Sequence, residues 1–444
     1  MDCNDSDSEN SFRNRCKCNY KSLLSESLLP NEIAPRILNF KKNKEEADLR
    51  PSLIDKVNGV YQKAQENIDL KKKNKRIIPK HPEKILDAPE LVNDYYLNLI
   101  DWGSKNLLAV CLGQTLYLWK ASTGEIETLT TKQEAGNILT SVAFSENGRS
   151  LALGTNNKTI EIWDIESKTQ KHILHGHTGR VCSLSWNPSP HFSNILSSGS
   201  QDTFILTHDL RLASPTNLNN INPVSPYCSA SSSSAATRCL VNRQRAHNEE
   251  VCGLKWNHNG MELASGGNDN ILCIWDIRNS HIPRFKFTQH EAAVKAIGWC
   301  PWENALLATG GGTDDKCIRF WDTQKGLCVK CIKTDSQVCA LLWNPPHREL
   351  ITSHGYNHFQ ITLWSYNSIA DHDGKIVQRD LVRVKDLRSH KNRVLCLNAS
   401  PDGSTIVSAG ADETLRFWKI NEGAWNSNKD KEWKDSVING INLR

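Results

Sequence analysis

Long apolar runs are missing from this sequence. None approaches the ~18–20 residues a helix needs to span a bilayer. Mean hydropathy is −0.51, and the polar start MDCNDSDSENSF has no apolar signal core. Neither a membrane nor a secretory route is expected. Charge of one sign is scarce as well: a net +5 over 444 residues is mild, so nucleic acid is not an expected partner. The GxSxG, HExxH, Walker A and paired CxxC signatures are all absent. The glycine-rich TGGGTDD joins two strands, and no helix follows whose N-terminus could hold a phosphate. No cofactor or metal is expected, and the chain reads as a binding platform, not an enzyme.

Cysteine, in contrast, is plentiful. The fifteen are odd in number and scattered, which argues against a disulfide framework. Cys182, Cys252, Cys317 and Cys396 sit inside apolar strand patterns and read as small buried hydrophobes in a reduced compartment. Cys16 and Cys18 are too isolated for a zinc site. Cytoplasm and nucleus are the expected locations.

A repeat then decides the architecture. Strand-ending tryptophans recur at Trp119, Trp163, Trp275, Trp321, Trp364 and Trp418, and His208 occupies the same slot in TFILTHDL. The seven units are spaced 44, 45, 67, 46, 43 and 54 residues apart. Asp202, Asp269, Asp315 and Asp412 each lie six residues before the slot, and His177, His247, His290 and His390 lie upstream. A buried turn aspartate can accept the N–H of that imidazole, so these histidines read as structural. A second aromatic column runs through Trp102, Phe144, Trp186, Trp256, Trp299 and Trp343. Repeats of ~40–45 residues with four short strands each predict an all-β, seven-bladed WD-repeat propeller.

The expected organisation is a disordered tail over 1–75, an extended lead-in over 76–95, the propeller over 96–420 and a C-terminal tail over 421–444. The 67-residue spacing contains a Ser/Asn/Pro-rich insert at 214–236, read as a flexible surface loop. The smaller excess before Trp418 falls around Asn367–Lys375. Ring closure needs one chain end to pair with the last blade, and Lys84–Leu86 is the candidate. The run Lys71–Arg76 reads either as a nuclear-import signal or as a solvated linker.

Several stretches go beyond the generic repeat: PEKILDAPELVNDYYLNLIDW at 82–102, EVCGLKW at 250–256, LASGGNDN at 263–270, AAVKAIGWCPWENALLATGGGTDDKCIRFWD at 292–322, SQVC at 336–339 and SPDGSTIVSAGADETLRFW at 400–418. Over about residues 76–420 the chain resembles the Fizzy family of anaphase-promoting-complex co-activators, which includes Fizzy-related and Cortex. NDYYLNL is more similar to the Fizzy or Cortex branches.

The resemblance implies degron recognition for a ubiquitin ligase in mitosis or meiosis, with no catalysis by the chain itself. Implied partners are subunits of that complex, degron-bearing substrates such as cyclins, and spindle-checkpoint proteins. It also implies a pocket for Lys-Glu-Asn (KEN) degrons at Asp101, Asn268, Asn270, Thr313, Gln337 and Arg393. Carboxylate, guanidinium and amides suit that tripeptide. Asp94 and Glu413 are implied in a groove between the first and last blades that takes Arg-x-x-Leu (D-box) degrons. Ligase docking is implied for Leu443 and Arg444, and for Pro35 and Arg36 in NEIAPRILNF. The latter stretch departs from the family's N-terminal C-box motif, because the arginine before Pro35 is missing. The alternative is a scaffold or diverged member that binds peptides without activating the ligase.

Overall fold

The computed structural model describes residues 78–421, apart from 135, 213–238, 280, 357 and 371–375. The expectations for both tails, the 214–236 insert and the docking residues Pro35, Arg36, Leu443 and Arg444 lie outside these residues.

Blade five shows why the repeat folds as it does. Its strands are Val294–Trp299, Leu306–Gly311, Cys317–Asp322 and, outermost, Leu327–Lys333. The first three are buried at every position, because neighbouring blades cover both faces of the sheet. Only the outermost strand alternates between half-buried and exposed. Seven antiparallel four-stranded sheets of this kind make up the described fold. The aromatic column staples neighbours together: the indole N–H of Trp186 donates to Ala143 O, that of Trp299 to Lys255 O, and that of Trp343 to Gly298 O, each at 3.0 Å.

The ring closes through the lead-in. Lys84–Asp87 pairs antiparallel with Thr414–Lys419, setting Lys84 opposite Phe417 and Asp87 opposite Thr414. It thus supplies the outermost strand of the last blade, as its sequence suggested. Phe417 packs against Trp102 and Trp119 with ring centroids 5.8 and 4.7 Å apart. First and last blades therefore share one apolar cluster. The excess before Trp418 is a long hairpin in blade six, Gln360–Ala370 against Ile376–Arg388. Tyr366 and Leu381 anchor it in the core shared with blade five.

Each innermost strand also lends a large aliphatic side chain to the wall of the axial channel: Ile100, Val142, Leu184, Leu254, Ile297, Leu341 and Leu397, with Leu395 a second from blade seven. These side chains form a collar around the channel. It ends on one side beneath Tyr95, whose hydroxyl reaches Ala293 O and Val338 O at 3.4 and 3.2 Å.

Candidate peptide-binding face

The polar groups inside the blades are committed to structure. His247 places Nδ1 3.0 Å from Asp269 and Nε2 2.8 Å from Ser265 Oγ, and Trp275 donates to that same hydroxyl at 2.9 Å. The His390–Asp412–Ser408–Trp418 relay repeats this arrangement, as does His290–Asp315–Thr309–Trp321. The carboxylate accepts the Nδ1 proton, so Nε2 accepts from the hydroxyl. These contacts, with backbone N–H donors, hold Asp269 below the usual carboxylate range against the opposing push of burial, and hold Asp202 down to about 2. The serine or threonine that joins histidine to tryptophan was not foreseen, although its place in the second strand is periodic. Blade three is the exception. His208 fills its tryptophan slot, and neither ring nitrogen finds a partner.

Antiparallel order puts the start of every innermost strand on one face, together with the turns between second and third strands. Asn268 and Asn270 lie in such a turn in blade four, and Thr313 in one in blade five. Gln337 and Arg393 immediately precede the innermost strands of blades six and seven. Five of the six residues expected in a KEN pocket thus share a face. Asn270 holds a left-handed backbone at φ 63 and donates its amide to Glu291 O at 3.1 Å, so it shapes the turn as well as lining it.

Asp101 is not brought there. It is the middle residue of the short innermost strand Ile100–Trp102, half-buried near the opposite mouth of the channel. Its carboxylate accepts from Phe144 N and Asn398 Nδ2, each at 2.6 Å. Burial raises its pKa, partly offset by Lys255 and these hydrogen bonds. Asp94 occupies the peptide face instead, bonded to Arg180 at 2.8 Å. Arg180 in turn grips Glu250 through Nε and Nη2 at 2.7 and 2.9 Å. Next to Asp94, Tyr96 donates to Asn268 Oδ1 at 2.8 Å, and the Asn268 amide reaches Glu249. Burial, then Cys252, and then the carboxylates of Glu250, Asp94 and Glu249 raise the Tyr96 pKa. This side of the face is acidic.

At blade seven the charge reverses. Arg393 bonds Asn93 Oδ1 and Asn93 O, and its guanidinium lies 5.8 Å from the Tyr356 ring centroid. Buried Gln337 presents an Oε1 with no partner. An acidic wall, an unsatisfied amide and a guanidinium suit a peptide that offers a cation, an amide and a carboxylate in short order. Tyr96, Asn93, Arg180 and Tyr356 escaped the sequence reading. The clue was the NDYY run just ahead of the first innermost strand, which puts Asn93 to Tyr96 at the same end as Gln337 and Arg393. Glu413, exposed and left-handed at φ 56, sits elsewhere on this face. Its carbonyl accepts from Ala88 N at 2.8 Å, which sets exposed Asp87 beside it in the closing strand.

Among the described residues no cluster of three or more His, Cys, Asp or Glu is placed to hold a metal ion. A seven-bladed ring with a loop-built face that carries both signs of charge defines a WD-repeat propeller. Residues 86–418 match the model of the CDC20/Fizzy WD40 domain, and the chain belongs to that family. A Dictyostelium discoideum relative named "Anaphase-promoting complex subunit cdc20" is 44% identical over 84% of this chain and 68% of its own length. "Meiotic fizzy-related protein 1" of Schizosaccharomyces pombe is 42% identical over 80% of this chain and 75% of its own. A chain in the crystal structure of a mitotic checkpoint complex superposes with a TM-score of 0.67 at 35% identity, covering 89% of this chain and all of its own.

Proposed function

We propose that this chain is a substrate-recognition co-activator of the anaphase-promoting complex. It presents degron-bearing cell-cycle proteins for ubiquitination and catalyses nothing itself. The observation that carries this reading is the divided face, with Asp94 and Glu250 on one side, Arg393 on the other and Gln337 nearby. A KEN degron lays its lysine toward the acidic wall, its glutamate toward Arg393 and its asparagine among Asn268, Thr313 and Gln337. A D-box arginine meets exposed Glu413 and Asp87 where the last blade closes. The relatives support the ligase: both curated proteins above carry names from this co-activator family, and the "cdc20" relative is named as part of the anaphase-promoting complex. The solved checkpoint complex supports spindle-checkpoint proteins as further partners. The non-catalytic role is supported by the histidine–aspartate pairs, which are buried and committed to the blades. The chain acts in cytoplasm and nucleus.

The test is affinity purification of the full chain from dividing cells, with and without Leu443–Arg444. Ligase subunits should accompany the intact chain and be lost with the truncated one. Purification of degron proteins without any ligase subunit from the intact chain would favour a peptide-binding scaffold that no longer activates the ligase.

A further inference from the structure

The axial channel is not used by the peptide face. It is a cavity of about 530 Å³, within the ~300–1,000 Å³ typical of small-molecule sites. Its wall joins the aliphatic collar described above to polar side chains, among them Asn98, Ser183, Ser185, Lys255 and Asn398. At the inner end stands Lys295, only 5% exposed. Its ammonium donates to Leu395 O at 3.1 Å and lies 5.6 Å from the Tyr95 ring centroid. Among the described residues no carboxylate pairs with it. Its titratable neighbours include Cys252 and Cys339, whose thiols burial pushes up to about 12, so neither supplies an anion. At the outer mouth the charges are already matched, because the Asp101 carboxylate is occupied by two hydrogen bonds and has Lys255 nearby. The positive charge without a counterion is therefore at the closed end, behind the ring of aliphatic side chains. A buried ammonium left in that state is costly.

We propose that this channel is a binding site for a free medium-chain fatty acid, with the carboxylate on Lys295 Nζ and the alkyl chain inside the aliphatic collar. The ammonium has three donors, of which Leu395 O takes one, leaving two for a carboxylate. From Lys295 to Trp299, at the outer end of the same strand, is four residues, roughly 13 Å at the rise of a β-strand. A medium-chain acid matches that length. The acid enters from the face opposite the peptide face, because Tyr95 and Lys295 occupy the inner end.

Isothermal titration of the full chain with decanoate and with decanol tests the assignment. Decanoate should bind about tenfold or more tightly than decanol, the difference expected of a charge-assisted contact. Lys295→Met should remove that difference while leaving decanol binding unchanged. Val142→Phe, which fills the collar, should weaken both. Equal affinity of the two probes for the native chain, absence of decanoate binding, or full decanoate affinity in Lys295→Met would overturn the proposal. Should Lys295→Met fail to fold, the native comparison together with Val142→Phe still decides it.

Discussion

At the scale of single residues, the peptide face turns on which end of a strand a side chain occupies. Asp94 and Asp101 are seven positions apart in one continuous stretch, and spacing alone offers either as the carboxylate for a degron lysine. What separates them is tertiary: Tyr95 and Tyr96 tie the first to the loop face, through Val338 O and Asn268, whereas Asn398 and Phe144 N hold the second near the opposite mouth. No local pattern encodes those partners, which lie in other blades. The turn residues Asn268, Asn270 and Thr313 were legible through the resemblance to the Fizzy family; the repeat adds only that they lie in turns between second and third strands. We expect Asn268→Ala combined with Arg393→Ala to weaken a KEN peptide about tenfold or more, as loss of charge-assisted contacts requires, while a D-box peptide binds as before in fluorescence anisotropy. Asp101→Asn, in contrast, should leave KEN binding intact; a loss equal to that of Asp94→Asn would return Asp101 to the site. Glu413→Lys should weaken the D-box peptide alone, by placing a like charge against its arginine.

At the scale of the strand and blade, the relay and the closing strand carry the stability. Removing Asp412 strips acceptors from the His390 ring and from Lys391 N together. The buried His390 donor left unmade costs ~1–3 kcal/mol, and exposed Lys391 N can turn to water, so Asp412→Ala should lower unfolding stability by about 1–3 kcal/mol in urea titrations. The closing strand is short: its register from Lys84 to Asp87, with Glu83 N and Ala88 N bonded at its two ends, joins the lead-in to the last sheet. A proline there removes a ladder donor. Ala88 N bonds Glu413 O, so the alternating ladder makes Leu86, two residues before it, a donor; Leu86→Pro should therefore open the last blade to proteolysis near Thr414–Lys419, and the same cleavage rate as in the native chain would show that the lead-in is dispensable. The ring's seven-fold order was readable because tryptophan, aspartate and histidine recur at a near-constant period. The blade-six hairpin was read only as an excess, since its register comes from cross-strand pairing and from Tyr366 docking on Glu303.

At the scale of the whole molecule, burial of neutral imidazoles makes the fold acid-sensitive well above the carboxylate range. Desolvation lowers His208 to about 3 and His354 to about 4. Both values lie below the unfolded reference of ~6.5, so the folded state favours the uncharged ring. That contribution is complete above the unfolded pKa and is lost as pH falls from there toward the folded values, because the unfolded chain takes up the protons. Between pH 7 and pH 5 each of these histidines should cost about 2 kcal/mol of stability. The depressed aspartates do not interfere in this window, since Asp202 at about 2 begins to lose its contribution only as pH approaches the ordinary carboxylate value. His208 is the cleaner probe, because neither of its nitrogens has a partner to disrupt. His208→Phe fills the slot with an uncharged ring, so stability at pH 7 should hold or rise, and the loss on going to pH 5 should shrink by about 2 kcal/mol. Urea unfolding of both chains at the two pH values measures this directly. An unchanged difference between pH 7 and pH 5 would place the acid-sensitive group elsewhere, with His354 in blade six the next to replace.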